Sequence, residues 1–196
     1  GLEALLRWPH EKRGLIPPGE FIPIAEKTGL ILDLGQYVLE SACKQAAEWL
    51  QAGFEFGQVS INVSPLQFRQ SNFADTVRQT LNDYGLPASY LCLEVTENVF
   101  VDTREQLVLN ILSELQQIGV QLSLDDFGSG YSSLNYLHRL PFQELKIDRA
   151  FISGADTHPQ REQLFEAIVR LGRSLGLRVI AEGAETAGEF ALTVTH

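Results

Sequence analysis

QLSLD, residues 121–125, alternates strictly: Leu122 and Leu124 point one way, Gln121, Ser123 and Asp125 the other. QVSINV (58–63) repeats the pattern, with Val59, Ile61 and Val63 opposite Gln58, Ser60 and Asn62. In ELKI (144–147), Leu145 and Ile147 oppose Glu144 and Lys146. Three more runs have strand character: LEALLR (2–7), LCLEV (91–95) and RVIAE (178–182). Helical periodicity separates them. It is clearest at 34–50, where Leu34, Val38, Leu39, Ala42, Ala46, Trp49 and Leu50 share a face, and recurs at 104–118 and 160–175. Gly53, Gly85, Gly119 and Gly176 each follow a helical run, as helix stops do. Strand alternating with helix predicts a parallel sheet. A doubly wound sheet is covered on both faces and its strands are apolar throughout. A barrel is covered by helices only outside and can turn polar side chains inward at its mouth. The expected fold is therefore α/β, a TIM-type (β/α) barrel. Six strand candidates fall short of the roughly eight that close such a barrel. About two strands are expected to lie outside this chain, leaving open edges at 2–7 and 178–182 that invite association.

The polar face carries the chemistry. Glu3, Asn62, Glu94, the pair Asp125-Asp126 and Glu182 all stand where a parallel strand would end, and Lys146 is placed the same way. An acid among buried apolar neighbours is costly unless paired or bound to metal. Repeated strand after strand, such residues predict one oxygen-rich site at a barrel mouth, suited to divalent cations and so to phosphate chemistry. Singly, each has a plainer reading. Glu3 could pair with Arg7, Asn62 could form a turn before Ser64-Pro65, Asp125-Asp126-Phe127-Gly128 could be an acidic strand stop, and Lys146 could snorkel.

Bulk properties set outer bounds. The 196 residues suffice for one substantial domain, and 44% hydrophobic with 20% charged residues is a globular composition. A net charge of −10 argues against a nonspecific DNA or RNA binder, whereas a metal-mediated anion site remains compatible. Cys43 and Cys92 lack metal-site spacing and are expected to be small buried hydrophobes in a reducing compartment. The four histidines, His10, His138, His158 and His196, share no spacing. No apolar run approaches the roughly 18 residues of a membrane span, and GLEALLRWPH lacks the features of a signal peptide. Because the chain opens on a strand pattern, a preceding segment is expected.

At this point the motifs resemble a known family. Glu3-Ala4-Leu5-Leu6-Arg7 is similar to the signature of EAL domains, the bacterial cyclic di-GMP phosphodiesterases. The likeness continues through PPGEFIPIAEKTGLI (17–31), SINVSPLQF (60–68), LEVTEN (93–98), LDDFGSGYSSLNYL (124–137), LKIDRAFI (145–152) and VIAEGAET (179–186). It assigns residues 1–186 to a partial EAL domain and leaves 187–196 as a divergent or cloning-derived tail. The resemblance implies that Glu3, Asn62, Glu94 and Asp125 hold one divalent metal, Mg²⁺ or Mn²⁺. Asp125 would bridge to a second metal completed by Asp126 and Glu182. Lys146 would contact the attacking water, so that Lys146, Glu182 and Asp126 form the catalytic set. Arg7 and Leu5 would bind substrate. Glu97 would anchor the loop 126–133, linked to metal binding and to a homodimer interface, with Glu185 in support. The implied reaction is hydrolysis of cyclic di-GMP to linear pGpG. The implied setting is cytoplasmic, within a larger protein carrying sensor or diguanylate-cyclase domains that could itself be membrane-anchored. With strands and a closing glutamine outside it, the isolated chain is expected to be a poor enzyme. Two alternatives remain: a catalytically silent cyclic di-GMP receptor, which would typically have lost metal ligands retained here, and an unrelated metal-dependent barrel enzyme.

Overall fold

The computed structural model describes residues 1–100, 105–128 and 140–195. Its strands are β1 (Leu2–Ala4), β2 (Trp8–His10), β3 (Gly14–Ile16), β4 (Val59–Val63), β5 (Leu91–Thr96), β6 (Gln121–Phe127), β7 (Glu144–Ile147) and β8 (Arg178–Ala181). Six of them form one curled sheet in the order β1-β4-β5-β6-β7-β8. Every neighbouring pair is parallel. The result is a half-barrel of the (β/α) type, as the alternation of QLSLD predicts.

The greasy strand faces lie outside, under helices. Ile61, Leu93, Leu122, Leu124, Leu145 and Ile147 are buried in one continuous core with Leu39, Ala46, Val77, Leu115 and Phe165 from the covering helices. Truncating one of these leucines to alanine costs about 2–5 kcal/mol, so this layer holds the strands in place. Helix Pro159–Ser174 approaches the sheet closely because Gly172 has no side chain: a Cβ there would fall 2.5 Å from Val179 Cγ2. The opposite, concave faces carry Ser60, Glu94, Ser123, Asp125, Glu144 and Lys146, all buried. Deep in the concavity Ser123 Oγ donates to Glu144 Oε1 at 3.0 Å, and Arg178 pairs with Glu144 at 2.5 Å. These contacts partner Glu144 at the base of the curl.

Helices expected at 34–50, 104–118 and 160–175 are observed at Ile31–Gln51, Glu105–Ile118 and Pro159–Ser174. The helical run ahead of Gly85, given no bounds by its pattern, is Phe73–Tyr84. The four stop glycines have positive φ, between 61° and 95°. One local feature differs from expectation. The first strand is Leu2–Ala4, not 2–7; Trp8–His10 instead turns back on Gly14–Ile16 as an antiparallel hairpin. Residues Phe21, Ile22, Ile24 and Ala25 belong to helix Pro18–Thr28, in which Phe21 and Ala25 are buried while Ile24 is 60% exposed. Residues 187–195, in the stretch read as a divergent or cloning-derived tail, form helix Ala187–Thr195. Its start is a reciprocal cap, in which Thr186 Oγ1 accepts from the Glu189 amide and Glu189 Oε2 accepts from the Thr186 amide. Of the expected loop 126–133, residues 129–133 lie outside the described residues, as do His138 and His196.

Candidate metal and phosphate site

Lys146 occupies the centre of the concave mouth. Its Nζ lies 2.6 Å from Glu182 Oε1, 2.9 Å from Glu94 Oε1 and 3.7 Å from Asp125 Oδ1. Strands β5, β6 and β7 and the end of β8 each deliver one of these side chains, so the site is a product of sheet order. Burial opposes the lysine's charge, but hydrogen bonds to Glu182 and Glu94 and the nearby acidic charges outweigh it and hold its pKa above the ordinary lysine value. With the carboxylates arranged in this way Lys146 is held as a cation, able to donate a hydrogen bond or stabilise negative charge.

Glu94 is 2% exposed. Burial pushes its carboxyl up to about 7, against the hydrogen bond and charge of Lys146. Its Oε2 is buried with no hydrogen-bond partner. An unpartnered carboxylate oxygen at this depth is costly, and a second cation on it would remove the cost. Among the described residues no group of three or more acidic, histidine or cysteine side chains already has the spacing of a metal cage. The ammonium of Lys146 sits between the carboxylates instead.

Asp126 reaches the site through a backbone irregularity. Strict alternation would send Asp125 and Asp126 to opposite faces. The β6–β7 register shifts between Leu124 and Phe127, and Asp126 takes the left-handed conformation at φ 52°. This conformation is strained for a residue with a Cβ and is characteristic of bulges and functional sites. Its amide donates to Asp125 Oδ1 at 2.9 Å. Burial, then the charges of Asp125 and Asp148, a hydrogen bond with Asp148 and the charge of Glu182 push the Asp126 carboxyl up to about 6. Asp148 is thus a site-facing acid that the sequence reading passed over. Two positions beyond Lys146, it had the parity that would have flagged it.

Glu3 and Asn62 form the neighbouring lip, where Asn62 Nδ2 donates to Glu3 Oε1 at 2.9 Å. Beyond them opens a cavity of about 500 Å³, lined by Leu5, Arg7, Pro18, Ile22, Glu26 and Asn62 among others. Ser64 Oγ donates to Glu26 Oε1 at 2.7 Å and so fixes a carboxylate on the cavity wall, another feature the sequence reading missed. Glu97 is buried and its Oε1 accepts the Gly128 amide at 2.9 Å, joining it to the start of segment 126–133. Glu185 stands apart from the lysine cluster, exposed and paired with Arg149 at 2.7 Å. Glu3, Asn62, Glu94, Asp125, Asp126, Glu182 and Lys146 therefore gather around one mouth, Arg7 and Leu5 line the adjoining cavity, and Glu97 and Glu185 lie behind.

Comparison with known proteins places the chain among relatives. A family model described as the EAL domain matches residues 1–193. The chain is 49% identical over 187 residues to the bifunctional diguanylate cyclase/cyclic di-GMP phosphodiesterase MucR of Pseudomonas aeruginosa, covering 95% of this chain and 27% of MucR. It is 44% identical to the signaling protein YkoW of Bacillus subtilis, covering 96% of this chain and 23% of YkoW. The chain thus spans about a quarter of the length of these curated relatives. A solved structure, a complex of the MucR phosphodiesterase from P. aeruginosa with c-di-GMP, superposes with a TM-score of 0.92 at 46% identity, covering 98% of this chain and 78% of that one.

Proposed function

The chain belongs to the EAL domain family, and from that membership we propose that it hydrolyses cyclic di-GMP to linear pGpG with two divalent cations, Mg²⁺ or Mn²⁺. The observation that carries this reading is the convergence of Glu94, Asp125 and Glu182 on Lys146, with Glu94 Oε2 left unpartnered. Carboxylates and one amide are hard oxygen donors of the kind these cations prefer. Glu3, Asn62, Glu94 and Asp125 would hold one cation, and Asp125, Asp126 and Glu182 the other. Bound there, the pair supplies neutralisation of the phosphate oxygens, a bound water of lowered pKa and charge stabilisation on the leaving oxygen.

The chain's own residues supply the rest. Lys146 would orient water by donation and add positive charge near the reacting phosphodiester. Arg7 offers a guanidinium suited to a non-bridging phosphate pair at the cavity entrance. Leu5, Pro18 and Ile22 supply apolar wall for a purine, and a cavity of about 500 Å³ has the size and mixed lining of a small-molecule site. The likeness to the MucR phosphodiesterase complexed with c-di-GMP supports the ligand. The same reading places the chain in a larger cytoplasmic signalling protein with sensor or diguanylate-cyclase domains. It includes a homodimer formed near 126–133 and no DNA partner. Among the described residues no helix is long and apolar enough to cross a membrane.

The test is turnover. The full-length protein with Mn²⁺ or Mg²⁺ should convert cyclic di-GMP to pGpG, followed by chromatography of the nucleotides, and a chelator should abolish it. Tight cyclic di-GMP binding with no pGpG under either metal would favour the silent-receptor reading.

A further inference from the structure

Helix Arg149–Ile152 follows β7 directly and touches the tips of two other strands. On one side its Phe151 ring packs against Gly128, just past the Asp125-Asp126 bulge. A Cβ on Gly128 would fall 2.4 Å from Phe151 Cε2, so the ring fills the space that any other residue would need. On the other side the stem of Arg149 packs on Gly183, next to Glu182, where a Cβ would fall 2.9 Å from Arg149 Cβ. Both glycines have positive φ, 95° and 70°, so both turns are built around the contact. The helix is fixed in its turn. Asp148 caps it by accepting the Ala150 amide at 2.7 Å and hydrogen-bonds Asp126. Gly154, just beyond it, donates to Glu189, whose other carboxylate oxygen accepts the Glu185 amide.

We propose that Phe151 and the aliphatic stem of Arg149 are positioning residues that set the Asp125-Asp126 carboxylates against Glu182 by holding the β6 and β8 tips on one short helix. The proposal rests on the metal reading of the mouth and adds residues that touch neither metal nor substrate. Its physical basis is span. Strands β6 and β8 are not neighbours in the sheet, being separated by β7, and their tips meet only through Ile147, which pairs with Phe127 on one side and Ala181 on the other. The β6–β7 register is irregular between Leu124 and Phe127, where the Asp125-Asp126 pair lies, and the packed helix adds a direct contact to each tip beyond these pairs. Supporting residues of this kind commonly change metal affinity about 10–100-fold when removed.

Two amides report the two tips. Gly128 donates to Glu97 Oε1 at 2.9 Å, and Glu182 donates to the Ile147 carbonyl at 3.1 Å. In the full chain, Phe151→Ala should speed hydrogen exchange at both amides and weaken Mn²⁺ binding, followed by electron paramagnetic resonance of the free ion, about tenfold or more. Phe151→Leu should restore most of each. Arg149→Ala should act like Phe151→Ala, whereas Arg149→Met, which drops the Glu185 ion pair but keeps the stem, should stay near wild type. A purely structural residue would lower the melting temperature and leave Mn²⁺ affinity of the folded protein unchanged. Phe151→Ala with wild-type Mn²⁺ affinity and faster exchange at Gly128 alone would overturn the proposal. A wild-type chain that takes up no Mn²⁺ would instead sink the metal reading, and exchange at Glu182 would still decide the coupling.

Discussion

Lys146→Ala tests how the mouth balances its charge. The ammonium is 6% exposed and lies within 3.7 Å of three carboxylates, of which Glu94 and Asp125 are themselves buried. Removing one partner of a buried ion pair costs about 3–5 kcal/mol, because the remaining charge is left uncompensated. The lower end applies here, since the Glu182 side chain is 35% exposed and can turn toward water. In chelator the variant should therefore lose about 3 kcal/mol, a fall in Tm of roughly 6–12 °C for a chain of this size. Divalent cations should take over the neutralising role. A ligand at about a hundred times its Kd stabilises by about 2.7 kcal/mol, and the variant, having lost a competing cation, should gain more from Mn²⁺ than wild type does. The gap should therefore narrow in saturating Mn²⁺. Urea unfolding with chelator and with saturating Mn²⁺ measures both quantities. In the active protein kcat should fall about 10²–10³-fold with KM nearly unchanged. A variant as stable as wild type in chelator would refute the charge argument, and a gap that Mn²⁺ leaves untouched would refute the substitution of one cation by another.

Three other perturbations probe the same mouth. Glu94→Gln should leave the fold in place and weaken Mn²⁺ binding about tenfold or more, with a matching loss of turnover; unchanged affinity by calorimetry removes Glu94 from the site. Asp126→Gly relieves a left-handed residue worth about 1 kcal/mol and separates like charges, so Tm in chelator should rise while metal binding falls; a lower Tm would contradict the strain argument. The Asp126 and Glu94 carboxyls are held up to about 6 and about 7, above unfolded values near about 4. The folded state therefore binds these protons more tightly than the unfolded chain does. Their stabilising contribution is full below about 4 and is lost as pH rises through about 6–7. In chelator, stability measured across that window should decline, and Asp126→Asn should flatten the decline; an unchanged slope in the variant assigns it to other groups.

Much of this protein is local and therefore legible in one dimension. The two-residue alternation of QLSLD, QVSINV and ELKI assigns each side chain to a face without knowledge of the partner strand, because the pleat itself has that period. The helical runs are local for the same reason, and so is the inward placement of Glu94, Asp125 and Lys146. Other features depend on partners distant in the chain. Asp126 joins Asp125 because β6 shifts register against β7, which no alternation rule foresees. The Trp8–His10 hairpin pairs short segments with little apolar pattern, so it carries no periodic signal. Glu97 finds Gly128 across 31 residues, and Arg149 and Phe151 come to rest on glycines at the tips of two strands that are not neighbours. Residue type and parity decided which groups face the mouth. Their distances, and the clustering of three carboxylates around one buried ammonium, were decided only when the sheet curled, because curvature and register belong to pairs of strands and not to any one of them.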